Sequence, residues 1–156
     1  MKRIVYLHGL ESEQGGPKVD YLLQYHHVLA PHMDYTDPDC FINTITQIEV
    51  FRPHLIIGSS MGGYFAMAIS SYVDVPVLLF NPALHSRSVE SENVIWGNRV
   101  TSGKVILGVD DMVIDPVETI KVIKYSKLQY DLVDGLGHSI PYDIFIEKFQ
   151  HFIQNN

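Results

Sequence analysis

The chain of 156 residues holds one cysteine, Cys40, and one tryptophan, Trp96. A single cysteine excludes an internal disulfide, so the fold must stand on its own core, and a chain of this length can bury roughly 70% of its unfolded surface. Basic residues are scarce. Lys and Arg number 11 against 18 Asp and Glu, giving a formal charge of −7, and the cations are scattered singly. Without a basic stripe to neutralise phosphates, nucleic acid is an unsuitable partner. Long hydrophobic runs are missing too. The opening MKRIVYLHG has an apolar stretch too short for the core of a signal peptide, and no run reaches the 18 or more residues of a membrane span. The expectation is a cytoplasmic protein with no membrane association. Internal repeats, low-complexity tracts and linkers are also missing.

What is present alternates. RIVYL (3–7), HHVLA (26–30), HLIIG (54–58), VPVLLF (75–80), KVILGV (104–109) and KLQYDLV (127–133) read as strands. Residues 14–25, 38–51, 60–72, 116–125 and 141–154 read as helices. Four of the strands are almost continuously apolar, as strands are when helices cover both faces. The pattern predicts a three-layer α/β/α sandwich, with a doubly wound, mainly parallel sheet of about six strands, in one domain over 1–156. The polar, Gly-containing interval 81–103 carries no clear element and reads as a short lid or mobile loop.

In such a sheet, ligands gather beyond the carboxyl ends of the strands. There the chain places His8-Gly9-Leu10, Ser59-Ser60-Met61-Gly62, Asp110-Asp111 and Gly135-Leu136-Gly137-His138. The stretch HLIIGSSMGGYFAMAIS contains G-x-S-x-G centred on Ser60. A nucleophile on a sharp strand-to-helix turn needs small neighbours two residues away on either side, and Ser59 lacks them. A phosphate loop is the competing reading, but the lysine and spacing of that motif are missing. The order Ser, Asp, His along the chain is that of the α/β hydrolases.

His138 follows the last strand and precedes the last helix, where a base could reach Ser60. The acid is open among Asp110, Asp111, Asp115 and Asp134. Asp111 is favoured, standing three residues after Gly108 in a G-x-x-D-x-x-[VI] turn, while Asp115 before Pro116 suits a helix cap. Backbone N–H groups of Leu10 and Met61 are candidates for an oxyanion hole, and His8, Gly9, Tyr64, Asn81 and Trp96 for a substrate pocket. Val94, Ile95 and Trp96 would make one shallow apolar wall. His26 and His27, adjacent on a strand, point to opposite faces and cannot chelate one ion together, so a zinc site with His32 is disfavoured.

With these residues in view, IVYLHG, GSSMGGYFA, VLLFNPAL, GVDDMVID and GLGHS resemble the small, capless α/β-hydrolase esterases of the YqiA type, a bacterial family. The resemblance implies a serine esterase with a triad on Ser60, Asp111 and His138, needing no metal or other cofactor. Its partner would be a small acyl ester or an acyl-CoA thioester. A C–C hydrolase or a transacylase would use the same residues, and a non-catalytic binding protein could keep the scaffold.

Overall fold

The structure, a computed structural model, describes residues 1–10, 12–91 and 93–156. Among them lie six strands, β1 (Arg3–Leu7), β2 (His27–Leu29), β3 (Leu55–Ser59), β4 (Val77–Phe80), β5 (Ser102–Gly108) and β6 (Lys127–Val133). Five helices accompany them, four between strands, α1 (Pro17–Tyr25), α2 (Cys40–Phe51), α3 (Met61–Val73) and α4 (Pro116–Ile123), and α5 (Tyr142–Gln154) after the last. All five strand pairings are parallel, in the order β2-β1-β3-β4-β5-β6. The doubly wound parallel sheet expected from the periodicity is therefore observed.

Alternation along the strands sorts the core into two halves. Val5, Leu7, Ile56, Leu79, Val105 and Leu107 face one side, with Phe41, Ile45 and Ile48 of α2, Phe65 and Ile69 of α3 and Ile123 of α4. Ile4, Tyr6, Leu55, Ile57, Leu78, Phe80 and Ile106 face the other, with Val19 and Leu22 of α1 and Phe145, Phe149 and Phe152 of α5. Two helices thus cover one face and three the other. Each fully buried Leu, Ile or Phe contributes about 1.5–3 kcal/mol relative to leaving it exposed.

Element ends follow local chemistry. Helix α1 starts at Pro17 rather than at 14, because Gly15 and Gly16 hold φ of 92° and 93° and proline suits the first helical position. His26 ends that helix instead of opening β2. Asp115 caps α4, its carboxylate accepting the Val117 N–H at 2.9 Å. Strand β5 begins at Ser102, two residues before the expected 104, and ends at Gly108.

Candidate active site

The strand order turns back between β1 and β3, and both strands end at the same edge. Such a switch point opens a crevice between the two outgoing loops. The loop after β1 carries Gly9 and Leu10; the turn after β3 carries Ser60. The small residues around Ser60 have a steric reason. A Cβ on Gly58 would stand 2.3 Å from the Gly62 carbonyl oxygen, and one on Gly62 would stand 2.1 Å from that of Leu7. Ser60 itself holds φ 52° and ψ −116°, a backbone state that L residues rarely adopt. Its carbonyl accepts N–H groups from Gly63, Tyr64 and Ala83, which hold the strained turn in place.

Three side chains meet above this turn. Ser60 Oγ lies 3.1 Å from His138 Nε2, and His138 Nδ1 lies 2.9 Å from Asp111 Oδ2. The Asp111 side chain is fully buried and that of His138 is one-quarter exposed. Asp111 Oδ1 accepts the N–H groups of Val113 and Ile114 at 2.8 and 2.9 Å. An acceptor carboxylate places the imidazole proton on Nδ1 and leaves a lone pair on Nε2 facing the serine. Such an array can draw the proton from a hydroxyl as that hydroxyl attacks. Asp110 and Asp134 are exposed, and Asp115 is occupied with its cap.

The remaining candidates divide. Leu10 and Met61 line the space beside Ser60, as does Gly9. His8 is buried with its ring turned away from that space. Its Nε2 accepts the Met33 N–H at 2.9 Å, which leaves Nδ1–H to donate to the Gly9 carbonyl at 2.7 Å. Tyr35 O–H donates to the His8 carbonyl. His8 therefore shapes the turn that carries Leu10 and lines an adjoining cavity instead.

Asn81 also differs from the pocket role expected for it. It is buried, holds φ 41°, and spends its amide on backbone. Its Nδ2 donates to the carbonyls of Gly137 and His138, both at 2.9 Å, and its Oδ1 accepts the Gly108 N–H at 2.8 Å. Three strand exits are tied together by this one side chain. Sequence reasoning placed Asn81 at the right edge but missed this task; its position at the very end of β4 was the only signal.

Tyr64 and Trp96 are likewise absent from the lining at Ser60. Their rings pack against each other at 5.8 Å, and the Arg87 guanidinium lies 4.1 Å from the Tyr64 ring centre. Gly97 N–H is bound to Ser71 Oγ at 2.7 Å and Arg99 pairs with Asp74 at 3.2 Å, so this part of 81–103 runs along α3. The wall expected from Val94, Ile95 and Trp96 is made by Ser88, Val89 and Val113 instead.

Among the described residues no group of three His, Cys, Asp or Glu side chains could hold a metal ion. None of their helices is long and apolar enough to cross a membrane.

The fold is that of the α/β hydrolases. It matches a protein of that superfamily from Xanthomonas campestris with a TM-score of 0.73 at 17% identity, covering 96% of this chain and 98% of the other. Arabidopsis thaliana SOBER1 matches with a TM-score of 0.71 at 14% identity, over 99% of this chain and 98% of its own. A monoacylglycerol lipase from Paleococcus ferrophilus matches with a TM-score of 0.75 at 13% identity, over 99% and 95%. No curated protein matches by sequence. The chain belongs to the uncharacterised protein family UPF0227, whose sequence profile matches residues 3–94.

Proposed function

We propose that this protein is a serine hydrolase that cleaves carboxylic esters of short acyl groups. The observation that carries the reading is the unbroken relay from Asp111 Oδ2 through His138 to Ser60 Oγ. Ser60 Oγ attacks the ester carbonyl carbon while His138 Nε2 takes its proton. The Leu10 and Met61 N–H groups, the second at the positive end of α3, hold the oxyanion of the tetrahedral intermediate. Collapse breaks the bond to the leaving group, which departs with the proton from His138. Water then attacks the acyl-enzyme by the same route in reverse, releasing the acid and restoring Ser60. Asp111 holds the imidazole in its working tautomer and stabilises the imidazolium.

The fold shared with a protein named a monoacylglycerol lipase supports an ester substrate. Residues 1–156 are taken as one hydrolase domain in which 81–103 gives the site a short cover, through Ser86 to Val89, rather than a cap. The single cysteine suits a reducing, cytoplasmic setting.

A fluorophosphonate probe followed by peptide mapping tests the reading. The expected result is one labelled serine, Ser60, with labelling lost in Ser60→Ala and kept in Ser59→Ala. Label on Ser59, or none at all, would overturn it.

A further inference from the structure

Two cavities open from Ser60, and they differ in chemistry. One, of about 230 Å³, is lined by Met61, Val89, Val113 and Ile114 together with Arg87, whose guanidinium is already paired with Glu90. The other, of about 480 Å³, is lined by His138 and Ser139 on one side and by Tyr6, Ser12 and Lys18 on another. It adjoins a further cavity of about 340 Å³ that shares Tyr6, Ser12 and Lys18. In the mechanism proposed above, on which this inference rests, His138 protonates the leaving group. The leaving group therefore occupies the larger cavity, on the His138 side, and the acyl group occupies the smaller.

Lys18 is out of place by every local rule. It is the second residue of α1, where the positive end of the helix disfavours a cation. Burial lowers its ammonium from the ordinary lysine value. Among the described residues no carboxylate comes within ion-pair distance of it. The Phe145 ring lies 5.7 Å from Nζ, a modest compensation. Local rules are broken in this way mainly at functional positions. An anion in the cavity would offset all of these costs together. Beside Lys18, burial pushes the Tyr6 phenol up to about 12, so its O–H stays a neutral donor. Glu13 lines the adjoining cavity together with Lys18, but not the cavity at Ser60.

We propose that the substrate's leaving group carries an anionic group, carboxylate or phosphate, and that Lys18 Nζ and Tyr6 O–H bind it. Lys18 is then the residue that selects the substrate. Ester cleavage is unchanged in its balance: the acyl carbon passes from the leaving oxygen to Ser60 Oγ, and the charged alcohol departs with the proton from His138.

The test compares 3-acetoxybenzoate, 3-acetoxyphenyl phosphate and the neutral 3-acetoxybenzamide. The expected ratio of kcat/KM, anionic over neutral, is about tenfold or more for at least one anion, expressed mainly in KM. The larger ratio identifies the anion. In Lys18→Met the ratio falls to near one, and in Lys18→Arg it is largely retained. A wild-type ratio near one for both anions, or a preference that Lys18→Met leaves intact, overturns the proposal. Calorimetric binding of 3-hydroxybenzoate and 3-hydroxybenzamide separates the two readings. Lys18-dependent preference for the acid without turnover of any ester sinks the esterase reading and upholds the anion site. Turnover of the neutral ester with no Lys18-dependent preference in rate or binding does the reverse.

Discussion

Asp111 meets His138 with only one of its two oxygens. Oδ2 faces Nδ1 at 2.9 Å, while Oδ1 is held by the Val113 and Ile114 N–H groups. Every neighbour of this carboxylate is a donor, so an amide in its place must turn its own NH₂ toward one of them. Asp111→Asn is predicted to lower kcat by on the order of a thousandfold or more, through the wrong tautomer and an unstabilised imidazolium. Asp110→Asn, at an exposed position, should stay within about threefold of wild type. Steady-state hydrolysis of p-nitrophenyl acetate by the two variants checks this; equal losses would move the acid by one residue.

Asn81 supports a second prediction. Asn81→Asp turns an acceptor toward the Gly137 and His138 carbonyls and should cost about 1–3 kcal/mol of stability. The same change loosens the loop that presents His138. We expect kcat to fall at least about tenfold with KM nearly unchanged, measured at a temperature where circular dichroism shows the variant folded. A folded variant with normal kcat would show that the His138 loop is held by other contacts.

The smaller cavity limits acyl length. It offers about 230 Å³ against about 480 Å³ on the other side, and binding gains roughly 0.8 kcal/mol per buried CH₂ only while there is surface to bury against. p-Nitrophenyl acetate and butyrate should be turned over with higher kcat/KM than the decanoate, each assayed below its micelle concentration. A steady rise through ten carbons would reveal a groove for a long chain.

Alkaline pH should destabilise the fold through its buried phenols. Burial pushes Tyr6 up to about 12 from 10.0 and Tyr35 higher still. A raised folded value means that the unfolded chain loses these protons first. Stability is therefore full below pH 10 and falls as pH climbs from about 10 through 12, Tyr6 alone accounting for on the order of 2–3 kcal/mol. Urea midpoints at pH 8, 10 and 11 check this, and a flat series would be inconsistent with two desolvated phenols.

The parallel sheet was legible because buried strands such as RIVYL and VPVLLF and the amphipathic segments between them have different periods. The meeting of Ser60, Asp111 and His138 was legible for a related reason: parallel strands deliver every exit loop to one edge. Asn81 and Trp96 were not. Which buried carbonyls and N–H groups remain unpaired at the ends of β4, β5 and β6 is settled only when those strands are adjacent, and Asn81 answers to that. The course of 97–99 along α3 depends on Ser71 and Asp74, side chains with no periodic signature. Lys18 reads in sequence as one more solvated charge; its anomaly exists only once α1 is set against the crevice.

The all-parallel sheet also has a consequence for time. No two strands are joined by a hairpin, so every pairing must close a long loop first. Ser102 meets Lys127 after one helical crossover, but Ile4 must find Leu55 across β2 and two helices. Folding should be slow for a chain of this size, with the β1–β3 pairing among its late events. The strained turn at Ser60 is held by N–H groups of α3 and of Ala83 beyond β4, and its relay needs Asp111 and His138 from beyond β5 and β6. After dilution from denaturant, helical circular dichroism should therefore recover before fluorophosphonate reactivity. A protein made this way acquires its reactive serine only once the rest of the molecule is in place, and a half-folded chain carries no armed nucleophile.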